Sequence, residues 1–203
     1  THVLHVPRDV VVGVDELVSS IAQFYELNKD TILKRTVGPY SYLISVLKKP
    51  DDTLDKNEKI LLRKILRFSA QPSLIGLAAE YIGQIPVIHS YSLTRSGTVD
   101  KEVPYAGSQL FHRDVGEKDL LHMIVTVSET TSDSGPFTYI DAVNSKLVMD
   151  QLGHQAGRVS DADVTNIIGD GELVEIIEKP GSVVFINPER CFHYGARNQK
   201  GER

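Results

Sequence analysis

The sequence predicts an α+β protein in which helices come first and a β-sandwich or jelly roll follows. Two observations carry this. The first third repeats apolar residues at helical spacing, and after Pro86 the chain becomes a series of short β-rich runs punctuated by Gly, Pro, Asp and Ser. A third sets the scale: 203 residues with 41% apolar and 24% charged content suit one folded domain with a real core.

The first six residues, "THVLHV", alternate histidine with valine and leucine and read as an early strand. "VDELVSSIAQFYELNK" places Leu17, Ile21, Phe24 and Leu27 on a helical face, with Asp15 set to cap it. "LDKNEKILLRKILRFS" has Leu54, Leu61, Ile65 and Phe68 among charged residues, an amphipathic helix. "KKPDDTLDKNE" before it reads as a polar loop. "PSLIGLAAEYIG" opens with Pro72, favoured at a first helical position, and closes with Gly83. The expected strands are "PVIHSYSLTRSG", "SQLFHRD", "LLHMIVTVSE", "GPFTYID", "ELVEIIEK" and "GSVVFINP". Two short helices interrupt them, "NSKLVMDQLG" and "SDADVTNIIG", the second with Ser160 and Asp163 in a capping-box pattern. The predicted organisation is a single domain, helical over about 1–85 and a jelly-roll core over about 86–203.

Bulk properties exclude several function classes. A net charge of −5 and no basic stripe argue against a dedicated nucleic-acid binder. A single cysteine, Cys191, rules out an internal disulfide framework and a cysteine-rich zinc site. It fits a reducing, cytoplasmic compartment. No apolar run reaches the length of a membrane span, and the first residues lack a signal-peptide layout.

The chemistry concentrates in two segments. "GSQLFHRDVGEKD" holds His112 and Asp114 two positions apart. With seven histidines in 203 residues, chance supplies such a triplet about half the time, so alone the pair reads as a polar strand end. "KPGSVVFINPERCFHYGARNQKGER" adds His193 just beyond a buried strand. On a strand, residues two apart point to the same side, so His112 and Asp114 can reach one ion. Two imidazoles and one carboxylate on one face of an octahedral metal form the usual non-haem Fe(II) oxygenase site, with three positions left for a chelating cosubstrate and dioxygen. On "LLHMIVTV", Leu121, Met123, Val125 and Val127 share the apolar face, and His122, Ile124 and Thr126 the more polar one.

The run "SQLFHRDVGEKDLLHMIVTVSETTSDSGPFTYID", followed by "PGSVVFINPERCFHYGARNQKGER", resembles the phytanoyl-CoA dioxygenase-like family of Fe(II)/2-oxoglutarate-dependent oxygenases. The resemblance spans roughly residues 86 to 203. It implies a double-stranded β-helix, a cupin-like jelly roll, with the helical part as a layer packed on one sheet. It implies His112, Asp114 and His193 as iron ligands, Fe(II) and 2-oxoglutarate as cofactor and cosubstrate, and dioxygen and a small molecule as the other reactants. The family's arginine about ten residues past the distal histidine falls on Arg203, whose planar fork suits a carboxylate. Arg197 is a weaker candidate. His122 stands near a position where the family often has a cosubstrate-contacting lysine, and with Thr126 it would face the barrel interior beside 2-oxoglutarate. Two departures stand out: the family's "PGSH" reads "DAVNS" here, and "GARNQKGER" is turn-like with no returning strand, so the last strand is expected to be missing.

The remaining polar residues have plainer readings. Cys191 reads as a small apolar residue, although a thiolate ligand is conceivable. Arg95 reads as a surface arginine beside a turn, and His89 as a strand residue. Together these readings predict a hydroxylase that releases succinate and CO2. The alternative from another class is a non-catalytic, cupin-like metal- or ligand-binding module on the same fold.

Overall fold

The structure, a computed structural model, describes residues 2–34, 40–45, 54–114, 119–153 and 157–200. The chain divides into two compact units, Pro7–Ser96, and Thr1–Val6 together with Gly97–Arg203. Among the described residues, no helix is long and apolar enough to cross a membrane.

In the unit Pro7–Ser96, helix α1 runs Val14–Lys34. It buries Leu17, Ile21 and Phe24, but Leu27 is 75% exposed. At 3.6 residues per turn, Leu27 lies about 80° from Leu17 around the axis. Asn28 takes the buried side instead and donates its amide to the Phe24 carbonyl at 2.8 Å. Asp15 is not the cap: it sits inside the first turn, behind Gly13 at φ 75°, and pairs with Arg8. Helix α2, Lys56–Ser69, has a full capping box. The Asp55 carboxylate accepts from the Asn57 and Glu58 N–H groups, and the Glu58 carboxylate accepts from the Asp55 N–H at 2.9 Å. Helix α3, Pro72–Ile82, starts with proline and stops at left-handed Gly83, as the sequence indicates.

A strand pair completes this unit. Strand β2, Tyr40–Ser45, is antiparallel to β3, Ser92–Ser96, with a bulge between Tyr42 and Ile44. The run expected as a strand from Pro86 is therefore strand only at its end, and His89 is exposed outside it. Arg95 is buried rather than superficial: its Nε donates to the Tyr25 hydroxyl at 3.1 Å.

The other unit carries two three-stranded antiparallel sheets. One has the order β1 (Val3–Val6), β7 (Val183–Ile186), β4 (His122–Val125). The other has β6 (Val174–Glu175), β5 (Thr138–Tyr139), β8 (His193–Tyr194). Strand β7 is central and all four of its residues are buried, which is why "VVFI" is apolar without alternation. Tyr139, Ile176, Val184, Ile186 and Cys191 form one core cluster with Val3, Ile124 and Phe137, so both sheets share it. Helices α4 (Ala142–Leu152) and α5 (Asp161–Ile168) cover a second cluster of Phe111, Ile140, Val148, Val159, Val164 and Phe192. Each such side chain stabilises the fold by about 1.5–3 kcal/mol through burial. Ser160 caps α5 through the Asp163 N–H at 3.2 Å, and its hydroxyl donates to the Asp163 carboxylate at 2.7 Å.

Gly135 locks the "GPF" turn against the segment after β8. Its φ is +63°, and a Cβ there would fall 2.3 Å from the Asn198 nitrogen and 2.5 Å from the Arg197 carbonyl carbon. Both are backbone atoms and cannot swing aside. Gly135→Ala should therefore cost about 3 kcal/mol or more in urea unfolding. Gly83→Ala, at φ +79° in open space, should cost about 1 kcal/mol.

Candidate metal centre

Short elements and single backbone pairs position the site. "SQLFHRD" is not a strand. A 3-10 turn at Gly107–Gln109 leads into two isolated antiparallel bridges, Phe111 with Val159 and His112 with His193. His112 and His193 exchange both backbone hydrogen bonds, at 3.0 and 2.9 Å. Residues paired this way share a face. Phe111 and Phe192 therefore turn into the core beneath α4 and α5, and the two imidazoles turn the other way. Their ring centroids are 4.4 Å apart. The Asp114 N–H donates to the Pro188 carbonyl at 3.1 Å, which holds the aspartate beside them.

The expected triad assembles. His112, Asp114 and His193 present ligand atoms all within 4.8 Å of one another. Asp114 Oδ1 is 3.6 Å from His112 Nε2, and Oδ2 is 3.9 Å from His193 Nε2. Two donors about 2 Å from a common ion can be at most about 4 Å apart, so these separations suit one ion. Both imidazoles are oriented by backbone: His112 Nδ1 donates to the Leu110 carbonyl at 2.8 Å and His193 Nδ1 to the Cys191 carbonyl at 3.0 Å. Each proton is thereby placed on Nδ1, and each Nε2 keeps a lone pair for a metal. Phe137 stacks on the His193 ring at 5.0 Å.

Electrostatics favour the same role. Burial lowers the pKa of His112 and His122, and that of His193 falls to about 4, also chiefly by burial. Neutral imidazoles beside a carboxylate are the protonation states a divalent cation needs. Cys191 sits in the apolar core cluster, outside the triad's ligand set, and burial pushes its thiol up to about 11, in keeping with the reading as a small apolar residue.

The other candidates separate. His122 Nε2 is 3.6 Å from Asp114 Oδ2, beside the triad but outside its ligand set. Thr126 is buried on the same face, about 13 Å further along the strand. Its N–H and carbonyl pair with Ser182 and Gly181. Arg203 lies outside the described residues. Arg197 is already engaged: both terminal nitrogens meet the Asp161 carboxylate at 2.7 Å, and Nε donates to the Gln109 carbonyl at 2.7 Å. Its guanidinium lies over the Tyr194 and Tyr105 rings, 3.4 and 4.3 Å from their centroids. A structural fork of this kind is a poor cosubstrate grip.

Sequence reasoning missed Ser145, within the "DAVNS" segment. It is fully buried, its hydroxyl donates to the Ile140 carbonyl at 3.2 Å, and its oxygen accepts from the Phe192 N–H at 2.8 Å. It thus fastens α4 to the residue before His193. The sequence signal is a serine two residues before the apolar run Leu147–Met149.

The two antiparallel sheets and their helices define a mixed helix-and-sheet protein with a triad of metal-ligating type. No family model and no curated protein matches the chain. Solved structures do share its fold over the whole chain. AviO1 from Streptomyces viridochromogenes Tue57 is 16% identical, with 86% of that chain covered and a TM-score of 0.55. SnoK, a non-heme alpha ketoglutarate dependent carbocyclase from nogalamycin biosynthesis, is 18% identical, with 76% covered and a TM-score of 0.58. HygX from Streptomyces hygroscopicus, with nickel and 2-oxoglutarate bound, is 13% identical, with 80% covered and a TM-score of 0.58.

Two outcomes follow from this geometry. In the metal-free protein, unfolded His193 takes up a proton below its ordinary 6.5, whereas folded His193 resists until about 4. The unfolded state thus binds more protons in that window, and stability falls as pH drops from 6.5 towards 4. Urea melts across this range should show a shallower fall for His193→Gln. In a double-mutant cycle, Arg197→Lys and Asp161→Asn should each cost about 1–3 kcal/mol, and the double variant much less than their sum.

Proposed function

We propose that the chain is an Fe(II)- and 2-oxoglutarate-dependent dioxygenase that hydroxylates a small metabolite or acyl derivative. The observation that carries this reading is the His112–Asp114–His193 cluster, with two backbone-oriented imidazoles and one carboxylate at chelating separation. The fold shared with SnoK and HygX supports it. So does the pairing of two sheets around one core, which we read as a double-stranded β-helix. The two units are taken as parts of one oxygenase domain, and the phytanoyl-CoA dioxygenase-like resemblance is kept as its proposed family.

His112, Asp114 and His193 would hold Fe(II). Arg203 would grip the far carboxylate of 2-oxoglutarate. When bound, the metal and cosubstrate supply the oxidative step, in which 2-oxoglutarate and O2 become succinate and CO2 and the second oxygen atom enters the substrate. The chain's own part is to bind, orient and shield. The Leu110 and Cys191 carbonyls fix the ligand tautomers. Phe137 covers the His193 ring and keeps water from that side. His122, close to the outer oxygen of Asp114, would steady the carboxylate or touch the cosubstrate.

Anaerobic Fe(II) with 2-oxoglutarate should give a weak visible charge-transfer band, and admission of air should release succinate. Asp114→Ala should lose the band and at least about 100-fold of the succinate yield. A band without succinate would leave a metal- and ligand-binding module. No band would remove the oxygenase reading.

A further inference from the structure

The bridges that aim His112 and His193 place a third side chain in the same row. Phe111 pairs antiparallel with Val159, so the next position on each segment brings His112 beside Arg158. The packing agrees: Phe111 and Val159 both enter the core beneath α4 and α5, which turns His112 and Arg158 to the opposite face. That face holds, in order across the strands, Tyr139, His193, His112 and Arg158. Neighbouring positions in such a row are about 5 Å apart.

The row runs from buried to exposed. His193 is 3% exposed and lies under Phe137, whereas Arg158 is exposed. Arg158 has no carboxylate within ion-pair distance among the described residues, unlike Arg197 with Asp161. Its charge is nevertheless felt at His112. A molecule arriving from water at the triad therefore meets a cation one strand outside the ligand set. A planar guanidinium there fits a carboxylate or phosphate in two parallel hydrogen bonds.

We propose that Arg158 is the specificity residue of this site and that the primary substrate carries an anionic group, a carboxylate or a phosphate, held at the rim about one strand spacing from His112. The proposal rests on the oxygenase reading. Arg158 grips the substrate and not 2-oxoglutarate, and it takes no part in metal binding. It serves retention: an anchored anion holds the substrate beside the ion, in the ground state and the transition state alike.

The test uses the full chain loaded with Fe(II) and 2-oxoglutarate, as wild type, Arg158→Gln and Arg158→Lys. The probes are small carboxylates, each paired with its amide, and phosphomonoesters, each paired with its alcohol. In the wild type, an anionic member should raise succinate release above its neutral partner, and whether it is a carboxylate or a phosphate names the source. Arg158→Gln should raise the KM for that compound by about tenfold or more, with kcat and the 2-oxoglutarate titration of the visible band little changed. Arg158→Lys should recover part of the loss. The inference is overturned if anions and neutral partners act alike, if Arg158→Gln leaves KM unchanged, or if it weakens 2-oxoglutarate instead. A wild type without the visible band overturns the underlying oxygenase reading and takes this inference with it.

Discussion

The site depends on one backbone pair. His112 and His193 exchange two hydrogen bonds across an isolated bridge, and everything on either side follows from that register. Alternation sends Phe111 and Phe192 one way and both imidazoles the other. The surrounding contacts all hold this pair in place. Ser145 accepts from the Phe192 N–H, Gly135 lets the chain press against Arg197 and Asn198, and the Arg197 fork ties this segment to Asp161 and Gln109. A slip of one residue would turn both imidazoles into an apolar core.

The same burial that threatens these histidines suits them to their place. An imidazolium at 3% exposure is costly, so the folded state keeps His193 neutral. Carbonyl acceptors at Nδ1 satisfy the one proton each ring retains. The unused lone pairs then converge on the Asp114 carboxylate, which is 38% exposed at the side chain. The cluster is thus two dry nitrogens and one wetter carboxylate.

Local patterns were legible in the sequence, and distant partners were not. Asp55 and Glu58, Pro72 and Gly83, and the "VVFI" strand behave as their neighbours dictate. The convergence of His112, Asp114 and His193 was legible through the family resemblance and not through spacing, since the His-x-Asp pair alone is a chance-level pattern. Strand β2 was not, since its partner lies more than forty residues on and the intervening pattern is mostly helical. "SQLFHRD" has strand composition, yet its neighbours offer one pairing position each, so only bridges form. Arg197 looked available because Asp161, which engages it, is 36 residues away. Leu27 shows the limit of counting by threes, which drifts off a helical face within three turns.

The ligand spacing has a topological consequence. Asp114 and His193 stand at the two ends of a chain segment on the order of 80 residues long, which includes both helices α4 and α5 and four of the eight named strands. An ion shared between them would act as a reversible cross-link closing that long loop. Folding has already brought those ends together, so the ion would bind without that closure cost, and a chelator would remove the stability it adds. Occupancy of the centre would then be felt well beyond the ligands, as tighter cooperativity across the unit that holds the two three-stranded sheets.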